Sequence, residues 1–419
     1  MSQPEPREFL RALFEHALEA ARPGPALAAA LPPPPRGRTV VVGAGKASAA
    51  MARALEAERR PRLEGAIAVP AGTDCGCRAI ECLEAGHPVP DARSVAAAAR
   101  MRELVVGLDN DDQVIALVSG GGSALLCDPV PGLTLADKQA LTEALLKSGA
   151  AIGEINCVRQ ALSRVKGGRL ARLAAPAPVH TFLVSDVPGD DPALIASGPT
   201  VASPFRPGAA AAVLERYGIA VPAALAAAER ESPPPTPDAL GDRCRQRVLC
   251  SPLQSLEAAA AAARAQGVAP LILGDALEGE AAEMGRVCAG IALAAARHGH
   301  PLPAPAVLLS GGESSVTIRG PAGRGGRNTE LALALAVALA GHPRIHAIAC
   351  DTDGIDGSED NAGAVVGPDT LERARTAGRD PLEHLARHDA HAFFAALDDL
   401  VITGPTGTNV NDFRAILIL

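Results

Sequence analysis

Six times in this 419-residue chain a short apolar run ends in glycines and small polar residues. The exits lie at Val40 to Lys46, Leu117 to Ser123, Leu183 to Asp191, Leu308 to Ser314, Ile348 to Gly357 and Val401 to Asn409. Each reads as a strand leading into a tight turn. Glycine permits positive φ and lets backbone N–H groups approach an oxyanion that a Cβ would hold away. Ser119-Gly120-Gly121-Gly122-Ser123 is the fullest case, three glycines between hydroxyls. Turn geometry alone explains any single exit. In open α/β sheets, however, ligands bind outside the carboxyl ends of strands, so six exits together predict one large polar cleft.

The intervening sequence has helical period. Phe9, Leu10, Leu13, Phe14, Ala17 and Leu18 mark an amphipathic first helix that Pro23-Gly24-Pro25 ends. Strands are expected over Thr39–Val42, Ala66–Pro70, Val114–Val118 and Thr181–Val184. Helices are expected over Lys46–Glu58, Val95–Val106, Leu135–Ser148, Ile155–Ala174 and Ala210–Arg216. This alternation predicts an α/β fold whose first domain is Rossmann-like, with a mostly parallel, helix-covered sheet. Ser232-Pro233-Pro234-Pro235-Thr236-Pro237 reads as a linker. After it the pattern restarts, with strands at Val248–Cys250, Leu271–Leu273, Val307–Leu309, Ile345–Ala349 and Leu400–Thr403. Helices Leu256–Ala265, Gly279–His298 and Thr329–Ala340 are expected among them. Two different α/β domains follow, residues 1–238 and 239–419, with the first helix free to pack on the second.

A net charge of −8 gives no basic footprint, which argues against nucleic acid and anionic membranes as partners. Any anion must therefore be held by a local cluster. The chain starts without a basic, apolar leader, and its longest apolar stretch, Leu331–Ala340, is about half of the roughly 20 residues a membrane span needs. Nine scattered cysteines suit reduced thiols, so a cytoplasmic protein is expected. Cys75, Cys77, Cys82 and His87 cluster, but without the spacing of common zinc sites.

Gly43-Ala44-Gly45-Lys46-Ala47-Ser48 follows a strand and opens a helix. It fails as a dinucleotide fingerprint, because Ser48 holds the third glycine position and Val69-Pro70 ends the next strand without an acid. It fails as a Walker A loop too, since Ala47 replaces the magnesium-binding hydroxyl. What remains is Lys46 at a helix start, suited to phosphate or carboxylate. Ser310-Gly311-Gly312-Glu313 and Gly323-Arg324-Gly325-Gly326-Arg327-Asn328 read as a strand exit and a cationic loop, with Arg327 placed to pair with a phosphoryl group. In Asp351-Thr352-Asp353-Gly354-Ile355-Asp356-Gly357 the carboxylates Asp351 and Asp353 suit Mg²⁺ carried by a nucleotide; Ala362 stands where a calcium loop needs glutamate. Asp186 and Asp190 occupy the other acidic turn, one of them a candidate to orient or deprotonate a hydroxyl. Arg159 and Lys166 fall two turns apart on one face of the expected helix, where they could bind a small carboxylate or form a charged solvent face. Thr406, Gly407 and Asn409 form a hydroxyl-rich loop near the C-terminus.

In order and spacing these motifs, with Lys166-Gly167-Gly168-Arg169-Leu170, Ser197-Gly198-Pro199-Thr200 and Val410-Asn411-Asp412, resemble those of the glycerate 2-kinases that carry a MOFRL domain. The resemblance runs nearly end to end, the MOFRL region covering residues 305 to 415. It implies transfer of the ATP γ-phosphoryl to the 2-hydroxyl of D-glycerate, with the active site in a cleft between the two domains. It also implies catalytic roles for Lys46 and Arg327. Cys250-Ser251-Pro252-Leu253 departs from the more polar turn the family leads one to expect. ATP, Mg²⁺ and D-glycerate are the expected ligands, and a homodimer is the assembly entertained. Two rival activities stay open: a nicotinamide-dependent hydroxypyruvate reductase, and a non-catalytic sensor of phosphorylated metabolites.

Overall fold

A first sheet is built from β1 (Thr39–Ala44), β2 (Leu63–Pro70), β3 (Ile80–Ala85), β4 (Gln113–Ser119), β5 (Val179–Val184) and β6 (Cys244–Cys250). The structure is a computed structural model and describes residues 5–58, 60–202 and 206–419; part of the N-terminal stretch read above lies outside them. Strand order is β3-β2-β1-β4-β5-β6, the Rossmann order, and β1 to β5 pair in parallel. Every residue of β1 and β4 is buried, as befits central strands covered on both faces. Val40, Val42, Val114, Ala116 and Val118 join one core with Met101 and Val105 of the helix Ala92–Val105.

Several local expectations change. The helix expected over Ile155–Ala174 is two, Ile152–Ala161 and Arg169–Leu173. The first stops at Ala161, Ser163 bridges to Pro129, and Gly167 and Gly168 take φ of 60° and 79° just before the second begins. β3 was not expected; it is an edge strand whose Glu81 and Glu84 interrupt the apolar signal. In the loop before it, Cys75 forms a disulfide with Cys82, so these two are not the free thiols expected. Their Cα atoms stand 6.3 Å apart, within bridging range. The proline run packs as well as links: Arg169 and Arg172 donate to the carbonyls of Ser232 and Pro233, and Pro234 and Pro235 are buried. β6, read above as starting the second domain, instead completes the first sheet.

The residues form two compact units, one being Pro23–Leu249 and the other Cys250–Leu419 together with the helix Pro6–Ala20. The second unit holds β7 (Ala269–Gly274), β9 (Ala306–Ser310), β11 (Ile345–Asp351), β12 (Gly363–Val366), β13 (Leu400–Val401) and β14 (Asp412–Ile418). A separate pair joins β8 (Gly279–Glu280) to β10 (Ser314–Ser315). The large sheet runs β13-β12-β11-β14-β9-β7 and is mixed: only β7 pairs in parallel, with β9. β14, also not expected, lies between β11 and β9. Its side chains alternate between two cores, as strand geometry requires. Phe413, Ala415 and Leu417 meet Phe9, Leu10 and Leu13 of the first helix, and Leu256 and Ala259 of the helix Pro252–Ala265. Ile416 and Ile418 meet Leu331 and Leu335 of the helix Arg327–Leu339. Each such leucine or phenylalanine contributes about 1.5–3 kcal/mol through burial. Ser251, in the departing turn, caps the helix Pro252–Ala265 by accepting from Gln254 N.

Candidate active site

β1 and β4 are adjacent, yet the chain leaves β1 toward β2 on one side and reaches β4 on the other. Their exits thus form the switch point where a doubly wound sheet leaves a crevice. The two exits are bonded to each other. Lys46 N donates to Gly120 O (2.9 Å), and Ala47 N donates to Ser119 Oγ (2.9 Å). Gly45 has φ +142°, and a Cβ there would stand 2.1 Å from Ser119 Oγ, so only glycine permits this approach. Gly43 lies within β1 opposite Leu117, and Lys46 itself is half-buried. Ser48, at the third fingerprint position, is buried and donates to Leu117 O (2.9 Å).

Past Gly121 and Gly122 the chain turns into the short helix Gly122–Leu125. Ser123 Oγ lies 2.8 Å from Ser197 Oγ, which donates to Asn156 Oδ1 (2.9 Å). Lys166 is not on the helix expected to carry it. It is 1% exposed, in the turn between the two helices, and its Nζ donates to Ser123 O (2.9 Å). Burial drives its pKa well below the ordinary lysine value, with nearby Lys138 adding to the effect. Its place is therefore beneath the Ser119–Ser123 turn, bracing it. Asp186 and Asp190 stand at the exit of the next strand, β5; Asp190 has φ +54°.

In the second unit four predicted loops converge. Arg327 opens the helix Arg327–Leu339 and contacts three carboxylates: its Nε donates to Asp412 Oδ1 (2.8 Å), Nη2 to Asp351 Oδ2 (2.7 Å) and Nη1 to Glu313 Oε1 (2.6 Å). Burial opposes its charge, but Asp412, Asp351 and Glu313 outweigh burial and raise its pKa. Asn328 Nδ2 also donates to Asp412 Oδ1 (2.8 Å). Asp356 anchors the start of that helix by accepting from Asn328 N (2.9 Å) and Thr329 N (2.8 Å). Gly311 N bonds to Gly274 O, and Gly312 O accepts from Asp412 N (3.1 Å).

The C-terminal loop joins the same cluster. Thr406 N donates to Asp353 O (3.1 Å), Thr406 Oγ1 donates to Thr352 O (2.6 Å), and buried Asn409 accepts from Asn411 N (3.1 Å). Gly407 sits in that turn at φ +76°. Gly354 has φ +90°, and a Cβ on it would meet Gly404 O at 2.1 Å. Asp351 Oδ1 accepts from Asp353 N (2.9 Å). Burial, and then the charge of Asp353, raise the Asp351 pKa well above the usual value despite Arg327. A cavity of ≈320 Å³ adjoins this cluster, lined among others by Ser314, Gly326, Arg327, Glu330 and His388. The cationic loop before Arg327 is tied down, with Arg324 Nε donating to Glu359 Oε2 (2.8 Å).

Asp412 and Arg414 were not singled out from the sequence as site residues. Arg414 Nη2 donates to Asp412 Oδ2 (2.5 Å), and Arg414 Nη1 to Gly311 O (2.8 Å). The signal that could have found them is a pair of opposite charges two residues apart, on the core-facing side of a strand. Among the described residues no group of three or more His, Cys, Asp or Glu side chains is arranged to hold a metal alone, the Cys75–His87 stretch included. Among them, too, no helix is long and apolar enough to cross a membrane.

A Rossmann-ordered sheet with glycine exits at its switch point, and a second unit whose loops gather carboxylates about an arginine, define an α/β protein with its ligand chemistry at strand exits. Residues 9–229 match the model described as Domain of unknown function (DUF4147), and residues 306–412 match the MOFRL family. The chain is 55% identical to an Agrobacterium vitis protein that carries a provisional hydroxypyruvate reductase name, over 98% of this chain and 94% of that protein. It is 38% identical to the D-glycerate 2-kinase of Thermotoga maritima, with 97% of each covered. The crystal structure of the glycerate kinase from Thermotoga maritima matches with a TM-score of 0.88 at 36% identity, covering 99% of both chains. The chain belongs to the glycerate kinase family whose C-terminal region is the MOFRL domain.

Proposed function

We propose that this protein is an ATP-dependent glycerate 2-kinase, which transfers the γ-phosphoryl of ATP to the 2-hydroxyl of D-glycerate and releases 2-phospho-D-glycerate and ADP. The observation that carries this is the charge balance around Arg327. Glu313, Asp351, Asp353 and Asp412 outnumber Arg327 and Arg414, so the cluster is net negative. Such a cluster repels bare phosphate and favours phosphate that arrives with a divalent cation. The donor set fits: the neighbouring carboxylates of Asp351 and Asp353, oxygen donors at one strand exit, would hold Mg²⁺ together. When bound, the ion would offset the negative charge of the phosphate.

The chain's own residues supply position and charge, which is most of what phosphoryl transfer needs. Lys46 and Arg327 each stabilise the transferring group. Glu313 is the exposed partner of Arg327, and it is the one a phosphoryl oxygen displaces. Gly120 to Ser123 bind substrate at the switch point, and Asp186 orients the attacking hydroxyl. Gly43, Gly45, Asp190, Gly311, Gly312, Asn328, Thr406, Gly407 and Asn409 shape the substrate and nucleotide loops. A nicotinamide reaction is not supported by this site. Ser48 fills the third fingerprint position with its hydroxyl committed to Leu117 O, and β2 ends on Val69-Pro70 without a ribose-binding acid.

Phosphorus NMR of the protein with ATP, Mg²⁺ and D-glycerate tests the proposal. A new resonance matching authentic 2-phosphoglycerate is expected. A 3-phosphoglycerate signal rejects the regiochemistry. No ATP consumption, together with oxidation of NADPH by hydroxypyruvate, rejects the kinase altogether.

A further inference from the structure

The hydroxyl of Ser123 has a fixed polarity, and we infer that it makes Ser123 the residue that selects for a second, non-reacting hydroxyl on the acceptor. The inference rests on the glycerate kinase reading given above. It follows a chain of hydrogen bonds whose direction is set at its far end. Asn156 is 2% exposed, and its Nδ2 donates to Leu194 O (3.2 Å). A carbonyl only accepts, so the amide orientation is settled and Oδ1 faces Ser197. Oδ1 also only accepts, so the single proton of the fully buried Ser197 goes to Asn156 (2.9 Å). Ser197 Oγ then has lone pairs alone to offer Ser123, 2.8 Å away. The Ser123 proton is thereby committed inward. What Ser123 presents outward, from a half-buried position on the switch-point turn, is an acceptor.

The surroundings keep this polarity in place. Lys166 Nζ ties Ser123 O (2.9 Å) and Ala196 O (3.5 Å), so one buried lysine holds both segments of the chain. Ala196 and Ser197 are held at φ of 52° and 60°, a region non-glycine residues rarely occupy. Gly122 allows the close approach: a Cβ there would stand 2.6 Å from Ala196 Cβ. The backbone is thus strained at the residue that dictates the direction of the Ser123 hydrogen bond.

An acceptor of this kind has a narrow use. It cannot donate to a phosphate or carboxylate oxygen without breaking its bond to Ser197. Nor can it act as a base, because a neutral hydroxyl whose proton is already engaged would become an oxonium ion. It is suited to accept from a ligand O–H that keeps its proton throughout. On D-glycerate phosphorylated at the 2-hydroxyl, that group is the 3-hydroxyl. Ser123 therefore separates glycerate from 2-hydroxy acids that lack this group, since a polar site left unpaired by the analogue rejects it.

The test compares D-glycerate with D-lactate, which has the 2-hydroxyl and carboxylate but no 3-hydroxyl. Turnover with ATP and Mg²⁺, and calorimetric binding of each acid, are measured for wild type, Ser123→Ala and Ser197→Ala, with melting curves to confirm folding. Wild type should prefer glycerate. In Ser123→Ala, kcat/KM for glycerate should fall on the order of ten- to a hundredfold while that for lactate changes less than about twofold. Ser197→Ala, which releases the Ser123 proton but keeps the oxygen, should weaken the preference to an intermediate value. Equal losses on both acids in Ser123→Ala would mean that the hydroxyl serves a group both share, and would overturn the inference while leaving the kinase reading intact. Loss of glycerate preference in binding by Ser123→Ala, without any turnover in wild type, would keep the Ser123 contact to a hydroxyl but reject the kinase and, with it, the acceptor role inferred here. If neither acid binds to folded wild type, both fall.

Discussion

Replacing Asp412 with Asn removes one charge from a site that has no solvent to compensate. The Asp412 side chain is fully buried, and that of Arg414, which donates to it at 2.5 Å, is 3% exposed. Arg327 keeps Asp351 and Glu313 after the change, whereas Arg414 keeps only neutral acceptors: Gly311 O, Gly312 O and Ser314 Oγ. The cost therefore falls mainly on an uncompensated buried guanidinium, about 3–5 kcal/mol. For a unit of this size each kcal/mol moves the midpoint by about 2–4 °C, so a fall of roughly 6–20 °C is expected. Differential scanning calorimetry is the assay, because two compact units can melt separately, and only the transition of the unit bearing Arg414 should move. The pH dependence supplies a second check. Burial opposes ionisation of Asp412, but Arg414 and Arg327 overcome it and lower its pKa. A lowered carboxyl pKa gives stability that is present above the unfolded value of about 3.9 and lost below it. The difference between wild type and variant should then hold constant from pH 8 to 5 and close only in stronger acid. Pairing Asp412→Leu with Arg414→Met should recover part of the loss, since the orphaned charge leaves with its partner. A destabilisation under about 1 kcal/mol, or one that varies between pH 8 and 5, would refute the reasoning.

Lys46→Ala should lower kcat on the order of a hundredfold or more at saturating substrates while the melting temperature stays nearly unchanged; near-normal turnover would remove its charge-stabilising role. Asp353→Asn should raise the Mg²⁺ concentration needed for half-maximal rate several-fold more than it raises KM for glycerate, as a magnesium titration would show. Lys138 is fully buried, and burial lowers its pKa to about 8 from 10.5, so its folded state releases the proton first as pH rises. Wild type should then gain about 2 kcal/mol over Lys138→Met between pH 7 and 9.5 in denaturant titrations. Gly153, helical with open space around its Cα, should tolerate alanine with a gain of about 0.5–1 kcal/mol. Gly45→Ala, which drives a Cβ to 2.1 Å from Ser119 Oγ, should instead lose both stability and activity.

What the sequence made legible was the set of strand exits, because glycine and small polar residues after an apolar run carry a local physical signal. β1, β4, β9 and β11 form where the apolar runs predict, and the loops that follow β9 and β11 meet around Arg327. Partner choice was not legible. No local feature of Leu117 to Ser123 says that the proton of Ser123 is directed toward Ser197, 74 residues away in sequence. Lys166 looked like a surface cation because a helix was expected to continue through it, but that helix stops at Ala161 and the lysine sits buried in the turn that leads to the next one. β14 was missed because its charged start, Asp412 and Arg414, disguises a strand buried from end to end.

β14 also explains how the second site is assembled without a parallel sheet. It enters between β11 and β9 antiparallel to both, so its first residues lie beside their last ones: Asp412 pairs with Asp351 of β11, and Arg414 with Ser310 of β9. The start of one strand thus delivers a carboxylate to the exits of two others. Asp412 and Arg414 share a face because strand side chains alternate, and that face is the one on which the helix beginning at Arg327 packs. One residue of slip in β14 would turn Asp412 and Arg414 to the opposite face and bring Phe413 toward Arg327. The register is set far from the chemistry, by Phe413, Ala415 and Leu417 against the first helix and by Ile416 and Ile418 against the other core. The apolar alternation of the last seven residues of the sheet is therefore what aims the charges of the site.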